Sequence, residues 1–172
     1  GQKTRNLLRR AGRELTVERG GAWGEDHAAL VQRYLNERSL AAGIRHIYKR
    51  LPRYLAESSS SLLVSARLAD GRLAALSVGE YAGLTMAFYM FSFRDSEIAP
   101  PGATDLLLAQ LLEEASERGH TKMNLGLAVN EGIRFFKRKW GAVPFLPYVQ
   151  ATWEIASPGI STVLANLFRR SS

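Results

Sequence analysis

The chain of 172 residues is long enough for one domain with a sizeable core, because single domains usually span roughly 100–200 residues. A hydrophobic fraction of 46% and a charged fraction of 23% exclude disorder for the body of the chain. The absence of cysteine excludes disulfide scaffolds, thiol catalysis and thiolate metal sites. The three histidines lie far apart and match no metal-ligand spacing, so no metal is expected.

The net charge of +7 favours a polyanionic partner, which could be phosphate groups, a nucleic acid or an acidic membrane surface. No run of about 18 apolar residues predicts a membrane span, and the polar, basic N-terminus does not resemble a signal peptide. A cytoplasmic location is therefore expected. Gly1 stands where a start methionine would be, which suggests a processed product or the C-terminal part of a longer protein.

The first sixty residues are predicted to be mainly helical. Residues 2–12 form a basic helix, and a short strand follows at 15–17. Residues 26–38 have apolar positions at helical spacing, and so do residues 45–56, where Pro52 predicts a kink or a break.

The apolar pattern changes from residue 62 to that of strands. Residues 62–68 and 73–78 flank a hairpin turn at Asp70-Gly71, and the aromatic-rich segment 84–93 suits a third, buried strand. These residues predict a three-stranded antiparallel meander.

The remainder predicts alternating helices and strands. A helix begins at Thr104 after Pro100-Pro101-Gly102, and the next elements are a strand at 123–128, a helix at 130–139 and strands within 143–155. An amphipathic helix at 157–172 is expected to pack on a single domain formed by residues 1–156. The fold class is α/β (α+β), with a mixed, mostly antiparallel central sheet and helices on both faces.

Two segments are candidates for binding an anion. Around Gly102, free backbone N–H groups at a helix start can bind phosphate, although an ordinary strand-to-helix turn has the same pattern. A carboxylate at this position is expected to weaken donor binding far more than folding. In the helix at 130–139, Lys137, Arg138 and Lys139 could reach phosphates, while Phe136 and Trp140 share one face. A core-packing face with a solvated basic side explains that helix equally well.

Five segments together form a recognisable combination. They are the basic helix from Lys3 to Ala11, the hairpin from Asp70 to Ala75, the loop from Gly102 to Leu108, the strand Asn124-Leu125-Gly126 and Phe136-Lys137-Arg138-Lys139-Trp140-Gly141. In their order and spacing they resemble motifs of the GNAT superfamily, in particular its branch of Fem-type aminoacyltransferases and the related BioF2-like or CelD-like acetyltransferase domains. The resemblance covers residues 3–155.

The resemblance implies a GNAT-like fold and a donor, acyl-CoA, bound where the sheet splays beside Asn124. The residues expected to contact the donor are Pro101, Gly102, Ala103, Thr104, Gly126, Asn130, Phe136, Lys137 and Lys139. Two departures are visible: Lys137 stands where many GNAT enzymes have tyrosine, and the loop before Gly102 lacks the usual "[QR]-x-x-G-x-G" form.

The expected catalytic residues are Glu80, Tyr89, Lys137 and Tyr148. Glu80 is the leading candidate for the general base, and Tyr89 and Tyr148 are further candidates for proton transfer. A surface salt bridge explains Glu80 as well, and core or rim packing explains both tyrosines.

The predicted function is N-acyl transfer from acyl-CoA, such as acetyl-CoA, to an amine. The acceptor is a small molecule, glycan or peptide, and the resemblance points to cell-envelope or exopolysaccharide biosynthesis. Two alternatives remain open: a Fem-like aminoacyltransferase that uses aminoacyl-tRNA, and a non-catalytic binding module with a degenerate GNAT fold. A DNA partner is not expected, and the oligomeric state is left open.

Overall fold

The computed structural model describes residues 1–145 and Val149. Residues Gly1–Ala142 form one compact unit, and a second unit begins at Val143. Residues 143–145 and Val149 of that second unit have no regular secondary structure. The strands predicted up to residue 155, the helix at 157–172 and the domain boundary at 156 fall almost wholly outside the described residues.

A five-stranded sheet runs through the first unit in the order β1-β2-β3-β4-β5. The first four strands pair antiparallel, and β5 pairs parallel to β4. The strands are β1 (Thr16–Arg19), β2 (Ser61–Arg67), β3 (Leu73–Glu80), β4 (Met86–Arg94) and β5 (Lys122–Asn124). The predicted meander is therefore confirmed as β2, β3 and β4.

Helices cover both faces of this sheet. They are α1 (Gln2–Glu14), α2 (Glu25–Asn36), α3 (Ala42–Lys49), α4 (Leu51–Glu57), α5 (Ala103–Glu117) and α6 (Glu131–Lys139). Buried side chains of α1 and α5 share one core with the sheet, and those of α2 and α4, together with Tyr48 of α3, share another. The predicted mixed sheet with helices on both faces is confirmed. Among the described residues, no helix is long and apolar enough to cross a membrane.

Small residues bring α5 close to its face of the sheet. Ala74, Ala75 and Ala87 are fully buried beneath it. A β-carbon at Gly79 would lie 2.8 Å from the hydroxyl of Tyr81 and 3.0 Å from Leu111 of α5. The missing side chain lets the Tyr81 hydroxyl donate to the Leu111 carbonyl at 3.0 Å, which ties the end of the sheet to α5.

Larger apolar groups fill the opposite face. Leu30, Leu35 and Leu51 pack with Phe93, and Tyr48 meets the Phe93 ring edge-on at 5.1 Å between centroids. The helical stretch predicted at 45–56 is broken at Arg50, and Pro52 lies in the first turn of α4. Proline has no backbone N–H, and it is tolerated there because an N–H in the first turn has no acceptor within the helix.

Strand β5 is shorter than the predicted 123–128. The side chain of Asn124 accepts a hydrogen bond from the N–H of Gly126 at 2.8 Å, and Gly126 has a left-handed φ of 71°. This turn bends the backbone away from the ladder with β4, so the strand ends at Asn124.

Helix α1 lies against the start of α5, and this contact adds a folding cost to any substitution of Gly102. Gly102 has a φ of +93°, and a β-carbon there would lie 2.8 Å from Leu7 Cγ and 3.2 Å from the Leu7 carbonyl oxygen. A side chain at 102 therefore strains the backbone and meets Leu7. That aspartate here weakens donor binding far more than folding stays a prediction.

We predict that Gly102→Ala destabilises the fold more than Gly71→Ala does. Gly71 has a similar φ of +85° but open space around it, so its replacement incurs only the backbone cost of about 1–2 kcal/mol. Replacement of Gly102 adds about 1–3 kcal/mol of overpacking. Urea unfolding of both variants measures the difference, and equal losses would contradict the contact with Leu7.

A buried histidine joins α2 to β2. His27 is 4% exposed, its Nε2 lies 2.9 Å from the Ser65 hydroxyl, and its Nδ1 accepts from the N–H of Gly24 at 3.0 Å. Burial lowers the pKa of His27 below its ordinary 6.5, although the neighbouring Asp26 carboxylate acts in the opposite direction. The folded state therefore favours neutral imidazole.

We predict that the protein loses stability as the pH falls below about 6.5. There the unfolded chain binds a proton that the folded chain resists, so the loss reaches at most about 1.4 kcal/mol per pH unit for one group. Thermal unfolding between pH 8 and pH 5 measures it. His27→Gln, which cannot titrate, should flatten this part of the profile; an unchanged profile would assign the pH dependence to other groups.

Candidate functional site

Strand β4 loses its neighbour halfway along one edge. Its pairing with β5 ends where Phe88 meets Asn124, while β4 itself continues to Arg94. On the other edge, Val78 pairs with Phe91 and Gly79 with Tyr89, so Met90 is an extra, bulged residue. Beyond Phe88, the edge of β4 that pairs with β5 has no strand partner in the described part of the chain. Its backbone groups can therefore bind an extended ligand.

The N-terminus of α5 follows β4 in sequence and offers unpaired donors. The N–H of Ala103 bonds to the Pro100 carbonyl at 3.1 Å, and Leu106 bonds back to Gly102 at 2.8 Å. Within residues 1–145, the N–H groups of Gly102, Thr104 and Asp105 have no acceptor. Three free amides at the positive end of a helix can bind an anion such as a phosphate group.

The carboxylate of Asp105 anchors α6 beside this helix start. Asp105 is 5% exposed and accepts from the indole Nε1 of Trp140 at 2.7 Å and from Lys139 Nζ at 2.6 Å. Lys139 also lies 5.2 Å from the centroid of the Phe136 ring. The Lys139 ammonium is thus already paired with the Asp105 carboxylate. It could contact a phosphate only if the ammonium interacted with both anions.

Lys137 extends along α6 toward the end of β5. Its Nζ donates to the Leu127 carbonyl at 2.6 Å and lies 4.0 Å from the place of a β-carbon on Gly126, which also approaches the Phe88 ring at 3.8 Å. Partial burial lowers the pKa of Lys137. The ammonium is therefore directed to the point where β4 and β5 separate, and not into bulk solvent.

Asn130 has a structural partner. Its side chain accepts from the N–H of Ile133 at 2.9 Å and caps α6. Asn130 therefore lies at the start of α6, apart from Lys137 and Gly126, which lie together at the end of β5.

Tyr89 lies on the α5 side of β4. Its hydroxyl is buried, and no described residue forms a hydrogen bond of normal geometry with it. Burial raises the pKa of Tyr89, with the Ser92 and Ser77 hydroxyls acting in the opposite direction. The phenol therefore keeps its proton near neutral pH and can act only as a donor.

Glu80 lies elsewhere, at the end of β3 next to α4. Its carboxylate bonds to the Tyr54 hydroxyl, to Ser58 at 3.2 Å and to the N–H groups of Tyr81 and Ala82 at 2.9 Å. Partial burial acts to raise the pKa of Glu80, but hydrogen bonds from Ser60, Tyr54 and the two backbone amides outweigh it and lower the pKa. Glu80 is therefore ionised and firmly held.

A cavity of about 220 Å³ opens beside the bulge of β4, on the face opposite α5. Seven residues of α3, α4, β4 and the turn between the helices line it: His46, Ile47, Arg50, Leu51, Tyr54, Met90 and Phe91. Tyr54 lines this cavity, bonds to Glu80 and contacts Met90 Sδ at 3.2 Å. The cavity, the Glu80 carboxylate and the bulge at Met90 therefore adjoin one another.

The structure thus divides the predicted residues into groups. Pro101, Gly102, Ala103 and Thr104 lie at the α5 start, which Asp105 links to Lys139 of α6, and Phe136 lies beside Lys139. Tyr148 lies outside the described residues. In the part of the chain that is described, no three carboxylate or imidazole groups cluster in a way that could hold a metal ion.

Sequence reasoning missed the contact between two important side chains. Asp105 received no role in the site and Trp140 only a packing role, because a contact between α5 and α6 leaves no pattern in either segment.

We predict that Asp105→Asn loosens α6, which has no fully buried residue of its own. Losing a buried, charge-assisted acceptor should lower the free energy of unfolding by about 1.5–3 kcal/mol and accelerate hydrogen exchange in α6. Glu131→Gln removes an exposed carboxylate paired with Arg134 at 2.6 Å, so it should cost less than about 1 kcal/mol. Equal exchange rates in the two variants would contradict the anchoring role.

The sequence matches one protein family over most of its length. A family model described as "Acetyltransferase (GNAT) domain" matches residues 2–138. No curated protein sequence matches the chain.

Solved structures of acetyltransferases share the fold. A ribosomal-protein-alanine N-acetyltransferase from Brucella melitensis biovar Abortus 2308 aligns with a TM-score of 0.60 at 17% identity, over 81% of this chain and 99% of that one. An aminoglycoside acetyltransferase from an uncultured soil metagenomic sample, in complex with sisomicin, aligns with a TM-score of 0.59 at 13% identity, over 84% and 98%. A predicted acetyltransferase with acetyl-CoA from Clostridium acetobutylicum aligns with a TM-score of 0.57 at 12% identity, over 80% and 96%.

The family match supplies the class of reaction, since GNAT acetyltransferases use acetyl-CoA as their acyl donor. It spans both the free amides at the start of α5 and the edge of β4 beside β5. The chain therefore belongs to the GNAT family of acetyltransferase domains.

Proposed function

We propose that the chain binds acetyl-CoA between β4 and β5 and transfers the acetyl group to the amine of a small acceptor. The observation that carries this proposal is the set of three free N–H groups at Gly102, Thr104 and Asp105, next to the open edge of β4. The amides suit the diphosphate. The strand edge suits the amide groups of the pantetheine arm, which pair as an added strand would.

The proposed reaction is direct attack of the amine nitrogen on the thioester carbonyl carbon. The new C–N bond forms, the C–S bond breaks, the amine loses a proton and the sulfur of coenzyme A gains one. A free backbone N–H near the bulge at Met90, or the ammonium of Lys137, can stabilise the oxyanion of the tetrahedral intermediate.

Glu80 is the proposed proton acceptor. Its carboxylate remains ionised, as a base must be, and its partner Tyr54 lines the cavity beside β4. The lowered pKa limits its strength as a base. Tyr89 retains its proton and lies on the α5 side of the sheet, so it is the proposed donor to the leaving sulfur.

Within the family, we place the chain in the branch of Fem-type and BioF2-like or CelD-like domains. The motif from Phe136 to Gly141 and the basic helix α1 support this placement. The branch implies an acceptor in cell-envelope or exopolysaccharide biosynthesis, and the reaction is expected in the cytoplasm. A small amine acceptor is also supported by the resemblance to the aminoglycoside acetyltransferase.

A second candidate is aminoacyl transfer from tRNA, favoured by the net charge of +7 and by the exposed basic residues of α1. Thermal shifts separate the two donors. Acetyl-CoA at about 100 times its dissociation constant should add about 2.7 kcal/mol of stability. Stabilisation by aminoacyl-tRNA alone, with a steep loss as salt is raised, would favour the second candidate. Binding of acetyl-CoA without turnover would favour a binding module.

We predict that Lys137→Met lowers kcat/KM with acetyl-CoA by roughly 10- to 100-fold, the scale of a charge-assisted contact of about 1–3 kcal/mol. The methionine keeps most of the apolar stem, so the unfolding temperature should change little. Arg138→Met is the matched control, because it removes the neighbouring, exposed cation. Equal effects of the two substitutions on kcat/KM would remove Lys137 from the site.

A further inference from the structure

Lys137 differs from the other lysines of the chain in its surroundings. The sequence contains five lysines, and three of them are exposed: Lys3, Lys49 and Lys122. Lys139 is partly buried, but its Nζ pairs with the Asp105 carboxylate at 2.6 Å. Lys137 is also partly buried, and its Nζ donates to the backbone carbonyl of Leu127 at 2.6 Å. Within residues 1–145, Lys137 is thus the one half-buried lysine whose charge no carboxylate neutralises.

The Lys137 nitrogen lies where the open edge of β4 begins. Pairing between β4 and β5 ends at Phe88 and Asn124. The position that a β-carbon on Gly126 would occupy is 4.0 Å from Lys137 Nζ and 3.8 Å from the Phe88 ring. A carbon atom placed there would make only ordinary van der Waals contacts with described residues, because Gly126 has no side chain. The nitrogen therefore has space beside it, with an aromatic ring on the far side.

The proposed donor would bring its thioester to the same end of the edge. The free amides that suit the diphosphate lie at the start of α5, which follows the Arg94 end of β4 in the chain. From Arg94 back to Phe88 the open edge measures about 20 Å, at about 3.4 Å per residue. Strand β5 occupies the same edge from Phe88 to Met86. An arm extended along the edge therefore ends near Phe88, beside the Lys137 nitrogen.

The surroundings of Lys137 also favour its reactive form. Partial burial lowers the pKa of Lys137, so a larger fraction of this side chain is neutral than of a lysine in water. Only the neutral amine has a lone pair that can attack a carbonyl carbon. The bond to the Leu127 carbonyl uses one N–H and fixes the nitrogen without occupying that lone pair. A nucleophile held next to a bound thioester reacts much faster than one free in solution.

We propose that Lys137 is itself acetylated by bound acetyl-CoA when no amine acceptor is present. The lone pair of Nζ attacks the thioester carbonyl carbon, the N–C bond forms and the C–S bond breaks. The nitrogen loses one proton to solvent and the sulfur of coenzyme A gains one, which leaves an amide on Lys137 and a free thiol. This inference rests on the proposed acetyl transfer and adds a site of self-modification to it.

The modification would limit the activity of the chain. Acetylation converts the ammonium of Lys137 into a neutral amide, so the cation proposed to stabilise the oxyanion is lost. The acetylated chain should therefore resemble the Lys137→Met variant in its kcat/KM with acetyl-CoA.

Mass spectrometry of the whole chain tests the proposal. After incubation with acetyl-CoA and no acceptor, peptide mapping should find acetyl-lysine at Lys137, formed roughly tenfold or more faster than at Lys122, the exposed lysine of β5. The rate should saturate as acetyl-CoA is raised and fall when coenzyme A is added as a competitor. S-acetyl-N-acetylcysteamine, a thioester without the diphosphate, should acetylate Lys137 roughly tenfold more slowly at the same concentration.

Two variants form a matched pair for this experiment. Lys137→Arg keeps the positive charge and should abolish the modification at that position, whereas Lys139→Arg should retain the modification of Lys137. Similar rates at all lysines, or a rate at Lys137 that neither saturates nor responds to coenzyme A, would overturn the inference. So would an unmodified Lys137 in a protein whose unfolding temperature acetyl-CoA raises. If acetyl-CoA changes neither the unfolding temperature nor Lys137, the proposed function fails together with this inference.

Discussion

The turn from Asn124 to Gly126 is the constraint on which the site depends. A parallel strand beside β4 would otherwise satisfy the backbone groups of that edge along its whole length. The Asn124 side chain instead bonds to the Gly126 amide, and the left-handed backbone of Gly126 directs the chain away after three paired residues. This early ending of β5 leaves the edge of β4 open. It also places the Leu127 carbonyl, to which Lys137 donates, just beyond the last paired residue.

Helix α6 shows how a polar contact can position a weakly packed element. None of the side chains of α6 is fully buried. Hydrophobic burial therefore contributes little to the placement of this helix. The carboxylate of Asp105 holds both Lys139 and Trp140. In a partly buried setting, such charge-assisted bonds are directional and strong. They fix the rotation of α6, and that rotation points Lys137 toward the Leu127 carbonyl.

The two faces of the sheet carry different chemistry. On the α5 face, small residues and free helix amides can accept an anion near the backbone. On the α3 and α4 face, an apolar cavity adjoins the bulge of β4. The bulge at Met90 lies in β4, whose side chains contribute to both faces. Glu80 joins the second face through Tyr54, and the hydrogen bonds that its carboxylate accepts outweigh burial and lower its pKa.

The sequence by itself determined the elements and their order. Apolar periodicity, the Asp70-Gly71 turn, Pro52 and the Asn130 cap each act within a few residues, so local patterns located the meander and the helices, and the order of motifs indicated the family. Only the tertiary structure decided which side chains meet. Asp105 and Trp140 are 35 residues apart, Leu7 and Gly102 are far apart in the chain, and Glu80 bonds to Tyr54 from another element. Such contacts depend on how the helices pack on the sheet, and no local pattern encodes that packing; this is why Lys139 was expected at a phosphate and proved to pair with Asp105.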